Sequence, residues 1–158
     1  MKFLKIFLFF SIFTSVATAQ VPMSKNDVVV GLNTNLSNSR LVDVQLSPIV
    51  GFMVTRNVMA SASFVYNSSA GNKYSWVTGG IRYYNTKMNI KPSINTFAEL
   101  LGGISTNEYD NYYGLSVGIN AFLTNHIYLE PKLLFQSTYI NSDNYTSVGL
   151  QLGAGIKF

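Results

Sequence analysis

Residues 145–158, YTSVGLQLGAGIKF, carry two interleaved registers. One holds Phe158, Ile156, Ala154, Leu152, Leu150, Val148 and Thr146; the other holds Lys157, Gly155, Gly153, Gln151, Gly149, Ser147 and Tyr145. Successive side chains of a strand point to opposite faces, so this segment has one apolar face and one that is small or polar. A soluble barrel would turn the apolar face inward and fill its interior with it. Here the glycines, the glutamine and the lysine need a narrow polar space, which a membrane barrel supplies while its apolar residues face lipid.

The same alternation recurs upstream. Strands are expected at 27–34, 41–54, 58–66, 74–85, 94–105, 112–123 and 127–137, with Val50, Phe52, Ile81, Leu115, Leu133 and Phe135 among the outward residues. Residues 55–57 and 124–126 read as tight inner turns and 86–93 as a longer one, whereas 35–40, 67–73, 106–111 and 138–144 are rich in turn formers and read as outer loops. Pro48 cannot donate to a ladder, so a bulge is expected there. Tyr66, Tyr113 and Tyr139 toward the outer side, and Tyr83, Phe122 and Phe158 toward the inner side, fall where interfacial girdles would be needed, although aromatics are also simply good strand formers. The expected fold is an all-β, eight-stranded antiparallel transmembrane up-and-down barrel over residues 27–158.

Residues 1–19 read as a cleaved secretory signal. Lys2 and Lys5 form its basic start, 6–13 is an apolar run too short to span a bilayer, and Ala17 and Ala19 frame a small-x-small cleavage site. Residues 20–26 would follow as a periplasmic leader. The chain has no cysteine, which excludes a lipid-anchored lipoprotein and disulfides. Of the formal charge of +4, two units leave with the signal, and the remaining lysines and arginines are scattered, so no nucleic-acid stripe is present. An aromatic content of 14% against a charged content of 11% favours lipid contact in an exported chain with no helical span.

The inward register gathers Asp43, Glu99 and Glu130 with Arg82, Lys132 and Lys157, a formally neutral set. Charges in so narrow an interior must pair, because an isolated buried ion costs several kcal/mol. His126 is the only histidine and falls in a turn. With no cysteine nucleophile and no ligand spacing, no catalytic, cofactor or metal site is expected. Three Asn-x-Ser/Thr patterns at Asn35, Asn67 and Asn144 reflect polar loops, and Glu108, Asp110 and Asp143 read as solvated loop charges.

The final strand closing on Phe158, with Ile156, Ala154 and Leu152 at alternate places, resembles the C-terminal strand of bacterial outer-membrane barrel proteins. LSPIVGFMVTRNVMASASFVY at 46–66, GINAFLTNHIYLEPKL at 118–133 and IRYY at 81–84 resemble the small OmpA/OmpX-like outer-membrane barrels of the porin family. The resemblance implies an outer-membrane location in a Gram-negative-type bacterium, contact with lipid and lipopolysaccharide, and recognition of the terminal strand by the barrel-assembly machinery, with periplasmic chaperones acting during biogenesis. It also implies a lumen ion-pair network over Arg82, Glu99, Glu130, Lys132 and Lys157 that plugs or gates the interior. No OmpA-type peptidoglycan-binding domain is expected. The leading expectation is a monomeric structural barrel of the envelope with at most a narrow pore, since eight strands leave an interior just filled by side chains. A small-solute porin gated by the network is the alternative. A soluble periplasmic ligand-binding barrel is a further one, and it requires Leu150, Leu152 and Ile156 to point inward.

Overall fold

Consecutive hairpins bring each strand against its sequence neighbour, and the last strand returns to the first. The computed structural model describes residues 23–35, 44–69, 72–85, 93–105, 111–140 and 143–158. The expected cleavage residues Ala17 and Ala19, and the expected lumen acid Asp43, lie outside the described residues. The strands are β1 (Val28–Asn35), β2 (Val44–Met53), β3 (Val58–Ser69), β4 (Asn72–Asn85), β5 (Ile94–Ser105), β6 (Asn111–Phe122), β7 (Ile127–Ile140) and β8 (Asp143–Lys157). They form a closed antiparallel barrel in sequence order, sealed by β1 on β8 from Val29↔Lys157 to Asn35↔Gln151. Closure leaves no edge along these registers, a condition that hydrocarbon imposes on any spanning sheet.

The faces divide as alternation requires. Val50, Phe52, Ile81, Leu100, Leu115, Leu133 and Phe135 lie exposed on the outside, with Ile81 and Leu100 showing 63% and 64% of their surface. Leu150, Leu152 and Ile156 also face outward, which removes the arrangement a soluble ligand-binding barrel requires. Bulky lumen side chains from neighbouring strands lie over the inward glycines: Met59 over Gly51, Asn33 over Gly153 and Tyr128 over Gly155. A β-carbon at any of these positions would occupy the space its neighbour fills.

Two hairpins reach further than expected. β3 and β4 continue to Ser69 and from Asn72, and β7 and β8 to Ile140 and from Asp143, so most of 67–73 and 138–144 is paired strand rather than loop. Pro48 makes no bulge. Its partner in β1 is Leu32, and on the β3 side the pairing steps from Leu46↔Tyr66 to Ile49↔Ser63 with no change of register. Pro131 is accommodated in the same way, paired with Leu152 and flanked on the β6 side by Gly118↔Lys132 and Ala121↔Leu129. In both places the proline turns its missing N–H toward a gap in one ladder, which dispenses with an inserted residue.

The two tight inner turns, at 55–57 and 124–126, share one device; most of the longer one expected at 86–93 lies outside the described residues. Thr55 Oγ1 accepts from the N–H groups of Asn57 and Val58 at 3.2 and 3.1 Å, and Thr124 Oγ1 accepts from those of His126 and Ile127 at 3.2 and 3.0 Å. Each threonine thus satisfies two backbone donors that the tight reversal removes from the ladder.

Candidate functional site

The lumen has three layers. At the inner end Val29, Met53, Met59, Tyr84, Phe97, Phe122 and Tyr128 pack with Met23 into an apolar cluster. Phe122 therefore belongs to the interior and not to the lipid girdle expected for it; its parity with Ser116 and Asn120 on β6 turns it inward. At the outer end Val65, Trp76 and Tyr112 cluster with Leu101, the Trp76 and Tyr112 rings lying 6.2 Å apart. Between the two lies a charged middle layer.

Arg82 is its centre. The guanidinium holds Glu130 bidentately, Nη1 to Oε2 at 2.6 Å and Nη2 to Oε1 at 3.0 Å, and Nη2 also donates to Glu99 Oε2 at 2.8 Å. Lys132 Nζ lies 3.1 Å from Glu130 Oε1 and 3.8 Å from Glu99 Oε2. Ser61 and Ser116 donate to Glu99 at 3.1 and 3.3 Å, and Asn120 Nδ2 donates to Glu130 at 3.3 Å. The Phe97 ring lies beneath the guanidinium, its centroid 4.0 Å from the guanidinium carbon, and supplies a buried cation–π contact. All four charged side chains are buried, Arg82 and Glu99 each at 1% exposure.

Local sequence explains how these groups meet. Arg82 and Glu99 are direct partners across β4 and β5, and Glu99 and Ser116 are direct partners across β5 and β6. Glu130 and Lys132 stand two residues apart on β7 and so share the lumen face. Gly118 and Gly153, opposite Lys132 and Glu130, leave room for their stems. The layer therefore spans from β3 across to β7 and braces the barrel from inside. Two acids and two bases balance, and fork-to-carboxylate geometry is the arrangement in which a buried pair offsets its desolvation.

Of the expected network, Arg82, Glu99, Glu130 and Lys132 come together, and Lys157 does not join them. It pairs with Asp27 Oδ2 at 3.3 Å, at the inner rim, because its place at the end of β8 puts it beside the start of β1. Strand faces turn Ser61, Ser116 and Asn120 inward, but neither they nor Asp27 were among the residues expected in the network. The three polar neutral residues sit in the inward register beside the charges and are legible there in retrospect. His126 lies on the rim, its Nδ1 3.0 Å from the Lys157 carbonyl oxygen. Above the ionic layer a cavity of about 20 Å³ is lined by Asn33, Ser47, Ser63, Tyr112, Gln151 and the outer sides of Glu99 and Lys132, among others. That volume suits a single water molecule.

A closed eight-stranded barrel with an apolar belt outside and a buried ion-paired layer across its interior defines the class: a transmembrane β-barrel. Solved structures of the same architecture agree. The N-terminal β-barrel domain of Pseudomonas aeruginosa OprF superposes with a TM-score of 0.63 at 13% identity, covering 85% of this chain and 98% of that one. Neisserial surface protein A gives 0.58 at 10% identity, with 84% and 94% covered. The Yersinia pestis outer membrane protein Ail gives 0.53 at 11% identity, with 85% and 100% covered. At these identities the likeness is one of fold, that of the small outer-membrane barrels. No protein-family model matches the sequence, and no curated protein matches it.

Proposed function

We propose that this chain is an integral outer-membrane barrel protein whose role is structural, a closed barrel that contributes to the envelope rather than a passage through it. The observation that carries the reading is the middle layer. Four charged side chains, all buried and linked by ion pairs, lie across the lumen between two apolar clusters. Lipid and lipopolysaccharide are its surroundings, and the terminal strand ending at Phe158 serves as its assembly signal. It acts as a monomer and carries out no chemistry of its own.

A gated small-solute pore is the second reading. Two distances favour it: Lys132 sits between the two carboxylates, close to Glu130 and looser to Glu99, so the pairing has an alternative arrangement within reach. Single-channel recording of the refolded mature chain in a planar bilayer separates the two, once a heat-dependent mobility shift has verified the closed barrel. The structural reading expects silence from the wild type and from Glu130→Ala alike. Discrete openings that grow in Glu130→Ala would replace it with the gated pore.

A further inference from the structure

The segment before β1 is built into the barrel. Met23, expected to lie in a short polar periplasmic leader, is 3% exposed and packs among Val29, Met53, Met59, Tyr84, Phe97, Phe122 and Tyr128. These residues lie toward the inner ends of their strands, so Met23 sits at the inner mouth. The chain reaches it through a tight reversal. Asn26 adopts a left-handed φ of 75°, the Asp27 N–H donates to the Ser24 carbonyl at 3.2 Å, and the Ser24 N–H donates to Asp27 Oδ2 at 2.7 Å. Asparagine tolerates that conformation better than most residues. The reversal is tied to the wall twice, from the Asn26 N–H to the Met53 carbonyl and from the Met53 N–H to the Asp27 carbonyl, both at 2.9 Å. Asp27 is also held by Lys157 on β8.

We propose that residues 23–27 are a stopper for the periplasmic mouth, with Met23 as the plug and the Asp27–Lys157 ion pair as its latch, closing the lumen independently of the ionic layer above. Methionine suits the task, since an unbranched flexible side chain fills an irregular gap between rings. The contacts divide the labour: backbone bonds to Met53 fix where the segment sits, and of residues 23–27 Met23 is the one buried in the mouth. Ser24 and Lys25, on the same reversal, stay exposed to water. The stopper deepens the closed-barrel reading and rests on it, but it makes a separate claim about access from below.

The chain has no cysteine, so single cysteines report access cleanly. The test measures the reaction rate of Met53→Cys with a small cationic methanethiosulfonate in the refolded barrel, with and without Met23→Ser, and uses Lys25→Cys as the exposed reference. The stopper predicts that the cysteine at 53 reacts at least tenfold more slowly than the one at 25. Met23→Ser should then raise the rate at 53 by a similar factor. Asp27→Asn should raise it by less, as release of the latch alone. Rates at 53 that equal those at 25 from the start, or that ignore Met23→Ser, would overturn the proposal. The heat-dependent mobility shift and the emission of Trp76, recorded on every variant, keep a loosened plug distinct from an unfolded barrel. Conductance of Glu130→Ala addresses the closed-barrel reading by itself, so the two claims fail in different measurements.

Discussion

At the scale of single residues, Arg82 is the side chain on which the interior depends. It satisfies two carboxylates buried in the lumen, and removing one partner of a buried pair costs far more than the pair contributes net. Arg82→Met is expected to lower stability by about 3–5 kcal/mol, the cost of leaving two buried carboxylates to share Lys132 as their one cation in the layer. Replacing the whole set, with Glu99→Gln, Glu130→Gln and Lys132→Met added, should regain most of that loss, because no orphaned charge remains. Urea unfolding of the folded barrel, followed through the single tryptophan, Trp76, reads both outcomes. If the single and the fourfold variant unfold at the same denaturant concentration, the layer is not an ionic brace. The acids and bases were legible in the sequence by their parity. Their actual partners were not, since Arg82 meets Glu130 from three strands away and no local spacing encodes that.

At the scale of elements, glycines separate the two faces of the wall. Gly102 and Gly103 are neighbours on β5 with opposite environments. A β-carbon on Gly103 would meet the Val77 carbonyl oxygen and the Thr78 Cα at 2.5 and 3.0 Å, whereas one on Gly102 would meet nothing within 4 Å. Gly103→Ala is therefore expected to cost about 1–3 kcal/mol. Gly102→Ala should stay within about 0.5 kcal/mol of wild type, and the same unfolding assay compares them. The turns make a second element-scale case. Thr55→Ala and Thr124→Ala each strip an acceptor from two N–H groups, and each should cost about 1 kcal/mol. Because the two hairpins share no partner, the double variant should lose the sum. Strand positions and the tight turns followed from alternation and turn residues. The length of the outer hairpins did not, because asparagine and serine read as loop formers while cross-strand pairing carried them into the sheet.

At the scale of the whole molecule, the outer belt and the lumen obey opposite rules, and charge placement tests which side is which. Leu100 stands in the middle of β5 on the exposed face, and Ile127 begins β7 at the inner turn. Leu100→Lys is expected to cost about 2–4 kcal/mol in a bilayer, and Ile127→Lys only about 0–1 kcal/mol, since the penalty falls with distance from the midplane. Folding titrations into vesicles measure both. Equal costs at the two positions would contradict a lipid-facing belt.

What the sequence determined by itself is the wall: the strand count, which face meets lipid, the inner turns and the pool of inward charges, all of which follow from a two-residue period that each strand carries locally. Tertiary structure alone decided how that pool divides and what closes the ends. Arg82 was assigned to Glu99 and Glu130, and Lys157 to Asp27, by accumulated registers around a closed ring. Met23 was drawn into the mouth by an apolar cavity that does not exist until the ring is shut. A segment without periodicity carries no record of that destination, because the surface that binds it is assembled from β1 through β7.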